Sequence, residues 1–299
     1  MREQDEFRSP TRPQILKGEE CMKILFLGDL VGRSGRKVVT ENVPALREKF
    51  QLDAVIVNAE NAAGGFGITP EICEELFAAD IDILTTGNHF FDQKQIAEYL
   101  EWQPCLLRPV NYPDGTPGKG IVRSVLRNGQ TIIVMNVMGR LFMPPVEDPF
   151  DAVEEALKTY KLKYDGIDAI IIDVHAETHS EKITIAHLAD GKASGVFGTH
   201  THIPTADARI LTRGTAFISD VGMCGDYDSS VGMDLDISLA RFRKVVPMPR
   251  LEPAMGSASL GGVYIETDER TGLAIKIQPF RWGRILEPTC FLSEKESMF

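Results

Sequence analysis

The sequence has no apolar run as long as the roughly 18 residues of a membrane-spanning helix. Its five cysteines are scattered without a Cys-x-x-Cys pair, so neither a zinc-thiolate site nor a disulfide framework is indicated. Basic residues are also few, because 32 Lys and Arg stand against 43 Asp and Glu, a formal net charge of −11. This charge disfavours an extended nucleic-acid surface. We expect reduced thiols, no membrane segment and a cytoplasmic location.

Residues 1–21 lack the apolar stretch of a secretory signal and contain two prolines. Met22 directly precedes the first apolar run. No internal repeat, low-complexity tract or linker follows it. We therefore predict that residues 1–21 are a disordered or misassigned leader and that residues 22–299 form a single domain.

Apolar runs and amphipathic stretches alternate after Met22, which indicates an α/β fold. Strands are predicted at 23–28, 54–57, 81–86, 169–174, 192–198 and 215–219, and helices at 36–50, 71–79, 93–102, 148–163 and 180–190. Two β-hairpins are predicted within 120–138, around Asn128 and Gly129, and within 261–279. The pattern favours two packed mixed β-sheets flanked by helices.

Two glycine-containing segments have less specific patterns. Residues 32–36 could donate backbone N–H groups to a phosphate, but a tight strand-to-helix turn is favoured. Residues 222–228 are interpreted as a flexible loop, either bordering the substrate or lying on an ordinary surface.

Residue types that ligate metals occur where the apolar runs end. They are Asp29, Glu60, Asn61, Asn88, His175, His200 and His202. Because the carboxyl ends of parallel strands meet at one edge of a sheet, folding is expected to bring these side chains together. Carboxylate, amide and imidazole donors suit Fe, Mn, Zn or Co. The set is large enough for two divalent cations, and Glu60 is the predicted bridging carboxylate.

Each of these signals has an ordinary structural interpretation. An Asp after a strand is often a helix N-cap, Asn88 could be a turn residue, and a lone histidine is more often packed or solvated than metal-bound. However, four of the six histidines lie at predicted strand ends, and His200 and His202 form a His-x-His pair. In a strand this spacing places both rings on one face, and in a loop it can supply neighbouring cations. The joint occurrence favours a binuclear metal centre.

The order and the residues of these motifs resemble those of the calcineurin-like metallophosphoesterase superfamily. The forms GDLVGRSGR, NAENAAGGFGITP, GNHFFD and GTHTHIPTAD are most similar to its YmdB-like branch. The resemblance extends from Met22 to the C-terminus. It implies the αββα sandwich of that superfamily and hydrolysis of cyclic-nucleotide or other phosphodiesters.

The chain departs from the wider superfamily at the first two motifs. Val31 stands where a histidine is usual, and Glu60 stands where the bridging residue is usually Asp. The branch implies that Asn61 supplies the replacement donor. One cation is then assigned to Asp29, Glu60, Asn61 and His202, and the other to Glu60, Asn88, His175 and His200.

The resemblance also implies a role for His89, which is not counted among the ligands. It would face the substrate and stabilise the phosphoryl charge or protonate the leaving oxygen, although a histidine that only packs the rim of the site is the alternative. His179 and His187 lie in the predicted helix 180–190 region and belong to no motif. The resemblance further favours iron or manganese as the metal and a homo-oligomer as the assembly.

We therefore expect a metal-dependent phosphoric diester hydrolase in which a metal-bridged hydroxide attacks phosphorus in line. The expected partner is a small phosphodiester such as a cyclic nucleotide. Two alternatives stay open at this point. The first is a regulatory protein that binds a nucleotide or phosphate with weak turnover, and the second is a phosphomonoesterase that uses the same centre.

Overall fold

A computed structural model describes residues 21–283 and 285–289. The predicted leader therefore lies outside the described residues apart from Cys21, as does Cys290. The four cysteines of the described part are free thiols. Among the helices of that part, none is both long and apolar enough to span a bilayer. The single domain, the cytoplasmic location and the homo-oligomer stay predictions.

The described chain forms strands and helices in the predicted alternation. The strands are β1 Met22–Leu27, β2 Asp29–Leu30, β3 Ala54–Asn58, β4 Ile83–Thr85, β5 Ile121–Val125, β6 Thr131–Met138, β7 Ala169–His175, β8 Gly195–Thr199, β9 Arg209–Ile210, β10 Ala216–Ile218, β11 Met223–Asp226, β12 Ala258–Thr267 and β13 Ala274–Trp282. The α-helices are α1 Gly32–Phe50, α2 Pro70–Ala78, α3 Ile96–Tyr99, α4 Pro149–Thr159, α5 His179–Ala189 and α6 Leu235–Phe242, and a 3₁₀ turn spans Phe90–Asp92.

The strands form two mixed sheets, as predicted. A seven-stranded sheet has the order β2-β11-β12-β1-β3-β4, with β13 paired to β12, and a six-stranded sheet has the order β5-β6-β7-β8-β10-β9. β1, β3 and β4 run parallel, as do β6, β7, β8 and β10. β12 and β5 are antiparallel to β1 and β6 respectively. Both predicted hairpins, β5–β6 and β12–β13, are present.

Three hydrophobic clusters separate the layers. In β1, Ile24 and Phe26 point into the cluster between the two sheets, whereas Leu25 and Leu27 point towards α1 and α2. This alternation follows from the two-residue period of a strand. A third cluster packs the outer face of β6 and β7 against α4 and α5. The order of layers is therefore helix, sheet, sheet, helix, and the predicted fold class is confirmed.

Residues 222–228 were predicted to be a flexible loop, and this prediction is wrong. Met223–Asp226 is the buried strand β11, which lies between β2 and β12. The Tyr227 hydroxyl donates to Met223 O at 3.0 Å and accepts from Met223 N at 2.7 Å. The strand is only four residues long and contains a glycine, so its apolar period is too short to be recognised from the sequence.

The segment 32–36 was predicted to be a tight turn before a helix that begins at Arg36, and that boundary is wrong. The helix α1 begins at Gly32, with Val31 as its N-cap residue. Two glycines in its first turn hide the helical pattern. The helix packs closely on the sheet there, because a Cβ on Gly35 would lie 2.3 Å from Cys224 O. The helix α6 and the short strands β2 and β9 were not predicted.

Candidate metal centre

The predicted ligands lie where strands of both sheets end. Asp29 follows β1 and opens β2, Glu60 and Asn61 follow β3, and Asn88 follows β4. His175 is the last residue of β7, and His200 and His202 follow β8. Asp29, Glu60, Asn61, His175 and His202 are buried. The site is therefore formed at one end of the sandwich by both sheets together.

The loop after β4 passes very close to the ends of β3 and β7. A Cβ on Gly87 would lie 2.2 Å from Cδ2 of His175 and 2.3 Å from Oε2 of Glu60. No side chain fits at such distances, so glycine is required before Asn88. Because glycine has no side chain, the predicted ligands Glu60, Asn88 and His175 can approach one another.

His175 lies at the centre of the cluster. Its Nε2 is 3.0 Å from Oε1 of Glu60, 3.1 Å from Oδ1 of Asn88 and 3.1 Å from Nδ1 of His200. Donor atoms of Glu60, His175 and His200 all lie within 4.8 Å of one another, as in a metal-binding cluster. Four atoms that can donate lone pairs thus converge on a small volume.

Asp29 adjoins the same histidine from the other side. Its Oδ1 is 3.7 Å from Nδ1 of His175 and 3.8 Å from Nε2 of His202. Its Oδ2 accepts a hydrogen bond from the backbone N of His200 at 3.0 Å. The aspartate therefore connects the β1 end to the segment that carries both histidines of the His-x-His pair.

Two buried oxygens in the site have no hydrogen-bond partner within the described part of the chain. They are Oδ1 of Asp29 and Oδ1 of Asn61, whose amide nitrogen donates to Gly65 O at 2.9 Å. An unsatisfied buried polar atom costs about 1–3 kcal/mol, so native proteins rarely retain one without a reason. A divalent cation ligated by these oxygens would remove the cost. The residues present therefore fit a metal centre.

Each imidazole has one nitrogen held by an oxygen acceptor. Nδ1 of His175 is 2.9 Å from Oγ1 of Thr199, Nε2 of His200 is 3.1 Å from Oε2 of Glu177, and Nδ1 of His202 is 2.7 Å from Val231 O. A carboxylate or carbonyl oxygen can only accept, so it selects the tautomer that donates to it. In the neutral form of each ring, the other nitrogen then carries its lone pair towards the centre.

Charge within the cluster perturbs its titration. Burial opposes ionisation of Glu60, but the adjacent His175 outweighs it and lowers the pKa of Glu60 to about 2. Burial likewise disfavours the charged form of His175, yet Glu60 and Asp29 raise its pKa to about 9. Burial and the nearby His175 lower the pKa of His200 to about 3. A cation that binds Nε2 of His175 must therefore displace a proton.

A buried network behind His175 was missed by sequence reasoning. The hydroxyl of Thr199 donates to Oδ1 of Asp173 at 2.7 Å, so it must accept from Nδ1 of His175. Oδ2 of Asp173 accepts from Thr85 Oγ1 at 2.5 Å and from Asn58 Nδ2 at 2.9 Å. Burial raises the pKa of Asp173 to about 6. Asp173 and Asn58 stand two residues before His175 and Glu60, a strand spacing that could have identified them.

His89 lies beside the cluster without joining it through its ring. Its backbone N donates to Oε2 of Glu60 at 3.1 Å, and its Nδ1 is 2.8 Å from Oδ2 of Asp92. The side chain is 29% exposed, and its ring contacts the Phe66 ring edge-on at a centroid distance of 5.1 Å. The imidazole is therefore accessible from outside while its backbone is fixed to a predicted ligand. His179 and His187 lie on α5 and contact none of the predicted ligands among the contacts of the described residues.

Sequence and structure comparisons give one consistent family. Residues 25–280 match the family model described as YmdB-like protein. The 2′,3′-cyclic-nucleotide 2′-phosphodiesterase of Bacillus subtilis (strain 168) is 45% identical over 86% of this chain and 96% of its own length. A putative phosphatase/phosphodiesterase of Mycoplasma genitalium is 35% identical over 87% of this chain and 92% of its own.

Two crystal structures share the fold at comparable identity. A novel phosphatase from Mycoplasma pneumoniae superposes with a TM-score of 0.81 at 33% identity, covering 89% of this chain and 95% of its own. A hypothetical protein from Thermus thermophilus gives a TM-score of 0.80 at 39% identity, covering 88% of this chain and 99% of its own. The relatives confirm the expectation of a phosphoric diester hydrolase. The chain belongs to the YmdB-like protein family, and the resemblance predicted from its motifs is confirmed.

Proposed function

We propose that this chain is a metal-dependent phosphodiesterase with a binuclear centre that hydrolyses 2′,3′-cyclic nucleotides or closely related small phosphodiesters. The observation that carries the proposal is the convergence of Glu60, Asn88, His200 and Asp29 on His175, beside two buried oxygens without partners. The substrate class is supported by the name of the Bacillus subtilis relative.

We assign one cation to Asp29, Glu60, Asn61 and His202, and the other to Glu60, Asn88, His175 and His200. The second set is supported by the short distances around Nε2 of His175. The first set is supported by the partnerless oxygens of Asp29 and Asn61 and by the orientation of His202. Fe or Mn is the proposed metal, and Zn or Co is compatible with the same donors.

Bound cations would supply Lewis acidity, which lowers the pKa of a water from 15.7 to about 7 and neutralises the phosphate oxygens. The remaining steps belong to side chains of the chain itself. Water oxygen is added to phosphorus and one P–O ester bond breaks, so the product is a phosphomonoester. The leaving oxygen needs a proton, and His89 is the accessible imidazole beside the ligands. Asp92 accepts from Nδ1 of His89, so in the imidazolium form the second proton lies on Nε2, which donates it to the leaving oxygen and becomes neutral.

The test combines metal analysis with turnover. Freshly purified protein is analysed for metal content and assayed with 2′,3′-cyclic and 3′,5′-cyclic nucleotides and bis-p-nitrophenyl phosphate. We expect about two cations per chain, with turnover of 2′,3′-cyclic nucleotides that is lost on chelation and restored by Mn²⁺ or Fe²⁺. A fully loaded protein with a single cation contradicts the binuclear centre.

A phosphomonoesterase on the same centre is the second candidate, because two of the relatives are named as phosphatases. p-Nitrophenyl phosphate separates the two activities. A kcat/KM for this monoester above that for every diester assigns the monoesterase instead. Tight nucleotide binding without turnover by the loaded protein indicates a binding function.

A further inference from the structure

Lys182 and Asp220 form an ion pair that is completely buried. Nζ of Lys182, on α5, lies 2.9 Å from Oδ2 of Asp220, and neither side chain is exposed. Asp220 follows β10 and is not among the proposed ligands. A buried pair of this kind gives little net stability over an apolar pair of the same size, so its presence calls for another explanation.

The explanation lies in what else Asp220 binds. Oδ2 of Asp220 also accepts from the backbone N of Thr201 at 3.1 Å and from its hydroxyl at 2.8 Å, and Oδ1 accepts from Gly222 N at 2.9 Å. Thr201 is the residue between the two histidines of the His-x-His pair. The carboxylate therefore holds the middle of that segment through two hydrogen bonds to Thr201.

The segment needs such support because its backbone is unfavourable. His200 has φ 93° and His202 has φ 67°, in the left-handed region that residues with a Cβ rarely adopt. Such residues persist only where surrounding contacts impose the conformation. This backbone turns His200 towards His175 and His202 towards Asp29.

The glycine that opens the motif makes room for the lysine. A Cβ on Gly198 would lie 2.7 Å from Cδ of Lys182 and 1.9 Å from Ser219 O. The lysine stem therefore passes directly against the β8 backbone to reach Asp220. Gly198, Lys182 and Asp220, none of them a ligand, are thus arranged around one short segment.

We propose that Lys182 and Asp220 act as a positioning pair that fixes the His200–His202 segment so that both imidazoles can bind the divalent cations. Asp220 makes the bonds to Thr201, and Lys182 places a positive charge 2.9 Å from the buried carboxylate. This inference rests on the proposed metal centre, and it concerns affinity for the metal rather than the choice of substrate.

The test measures Mn²⁺ binding to the metal-depleted full chain by calorimetry, with thermal unfolding followed in parallel. The variants are Asp220→Asn, Lys182→Met, the combination of both, and Thr201→Val. Asp220→Asn and the combination are expected to weaken Mn²⁺ binding by roughly 10–100-fold, as is usual for residues that orient metal ligands. Thr201→Val removes one of the two bonds and is expected to have a smaller effect in the same direction. The exposed pair Arg123–Asp165, changed to Met and Asn, is the matched control and should bind Mn²⁺ unchanged.

The combined variant distinguishes a role in positioning the metal ligands from a role in protein stability alone. It removes both buried charges. If the pair served stability alone, the melting temperature and the Mn²⁺ affinity of this variant would both return to wild-type values. Recovery of Mn²⁺ affinity, or unchanged affinity in Thr201→Val, overturns the proposal. If the combined variant does not fold, Thr201→Val decides the question. Wild-type protein that binds Mn²⁺ but hydrolyses no cyclic nucleotide leaves this inference standing and refutes the proposed substrate, whereas absence of Mn²⁺ binding refutes both.

Discussion

The two sheets bring different donor chemistry to the same site. The seven-stranded sheet contributes oxygens, from Asp29, Glu60, Asn61 and Asn88 at its strand ends. The six-stranded sheet contributes nitrogens, from His175, His200 and His202. Neither half alone contains the mixture of carboxylate, amide and imidazole that the proposed cations require. The centre is therefore a product of sheet-on-sheet packing.

The two halves are also supported differently. On the oxygen side some supporting contacts are local, such as Asn61 Nδ2 to Gly65 O and Glu60 N to Asn58 Oδ1, and others are single backbone N–H groups of distant residues that donate to Glu60 and Asp29. On the nitrogen side they are buried networks that involve Asp173 and Asp220. A carboxylate oxygen accepts in any orientation, whereas an imidazole nitrogen accepts only if its proton lies on the other nitrogen. The histidine half consequently needs more surrounding structure.

The largest expected effect comes from removing Glu60, the carboxylate that we propose both cations share. Glu60→Ala is expected to abolish turnover and to reduce metal content, because the oxygen half loses its proposed bridge. Turnover and metal per chain are measured on the same preparation, with the exposed Glu154→Ala as control. Retention of two cations in Glu60→Ala would contradict the bridging role.

Removing the proposed acid should separate rate from metal binding. His89→Ala is expected to lower kcat by about 10²–10⁴-fold, the usual contribution of general acid-base catalysis, while metal content stays at the wild-type level. Metal analysis and steady-state kinetics check this, with exposed His179→Ala as the matched control. Metal loss equal to that of Glu60→Ala would assign His89 to the ligands instead.

A substitution in the buried network behind His175 tests how the nitrogen half of the site is supported. Thr199→Val removes the hydroxyl between His175 and Asp173 with little change of volume, so the tautomer is no longer selected. Metal affinity is expected to fall by roughly 10–100-fold, with activity partly regained at high Mn²⁺ concentration. The exposed Thr184→Val on α5 serves as control. Unchanged Mn²⁺ affinity in a calorimetric titration would show that the network does not orient the ligand.

The smallest expected effect concerns the aromatic ring that contacts His89. Phe66 is half-buried beside His89, yet it belongs to none of the hydrophobic clusters of the described residues. If its ring stacks on a nucleobase, Phe66→Ala lowers kcat/KM for 2′,3′-cyclic AMP by about tenfold and leaves ribose 2′,3′-cyclic phosphate unaffected. Competition kinetics with both substrates measure this difference, with exposed Phe242→Ala as control. Equal losses on both substrates would exclude stacking.

The long, regular elements were predictable because each carries its own period. The hairpins β5–β6 and β12–β13, the strand β7 and the helix α5 were found within a few residues of their observed positions. The strand β11 and the helix α6 were not, because one is four residues long and the other exposes apolar side chains such as Phe242 at 82%. In short elements, pairing partners rather than local pattern decide the conformation.

The sequence by itself determined which donor types stand at the strand ends and that glycine precedes several of them, since these are local properties of the chain. Only the tertiary structure decided which nitrogen of each histidine faces the centre, and that His200 and His202 adopt left-handed backbone. Those properties depend on contacts between distant segments, such as Asn58 with Asp173, 115 residues apart, and Thr201 with Asp220, 19 residues apart. A ligand type can be encoded locally, but its orientation is fixed by packing.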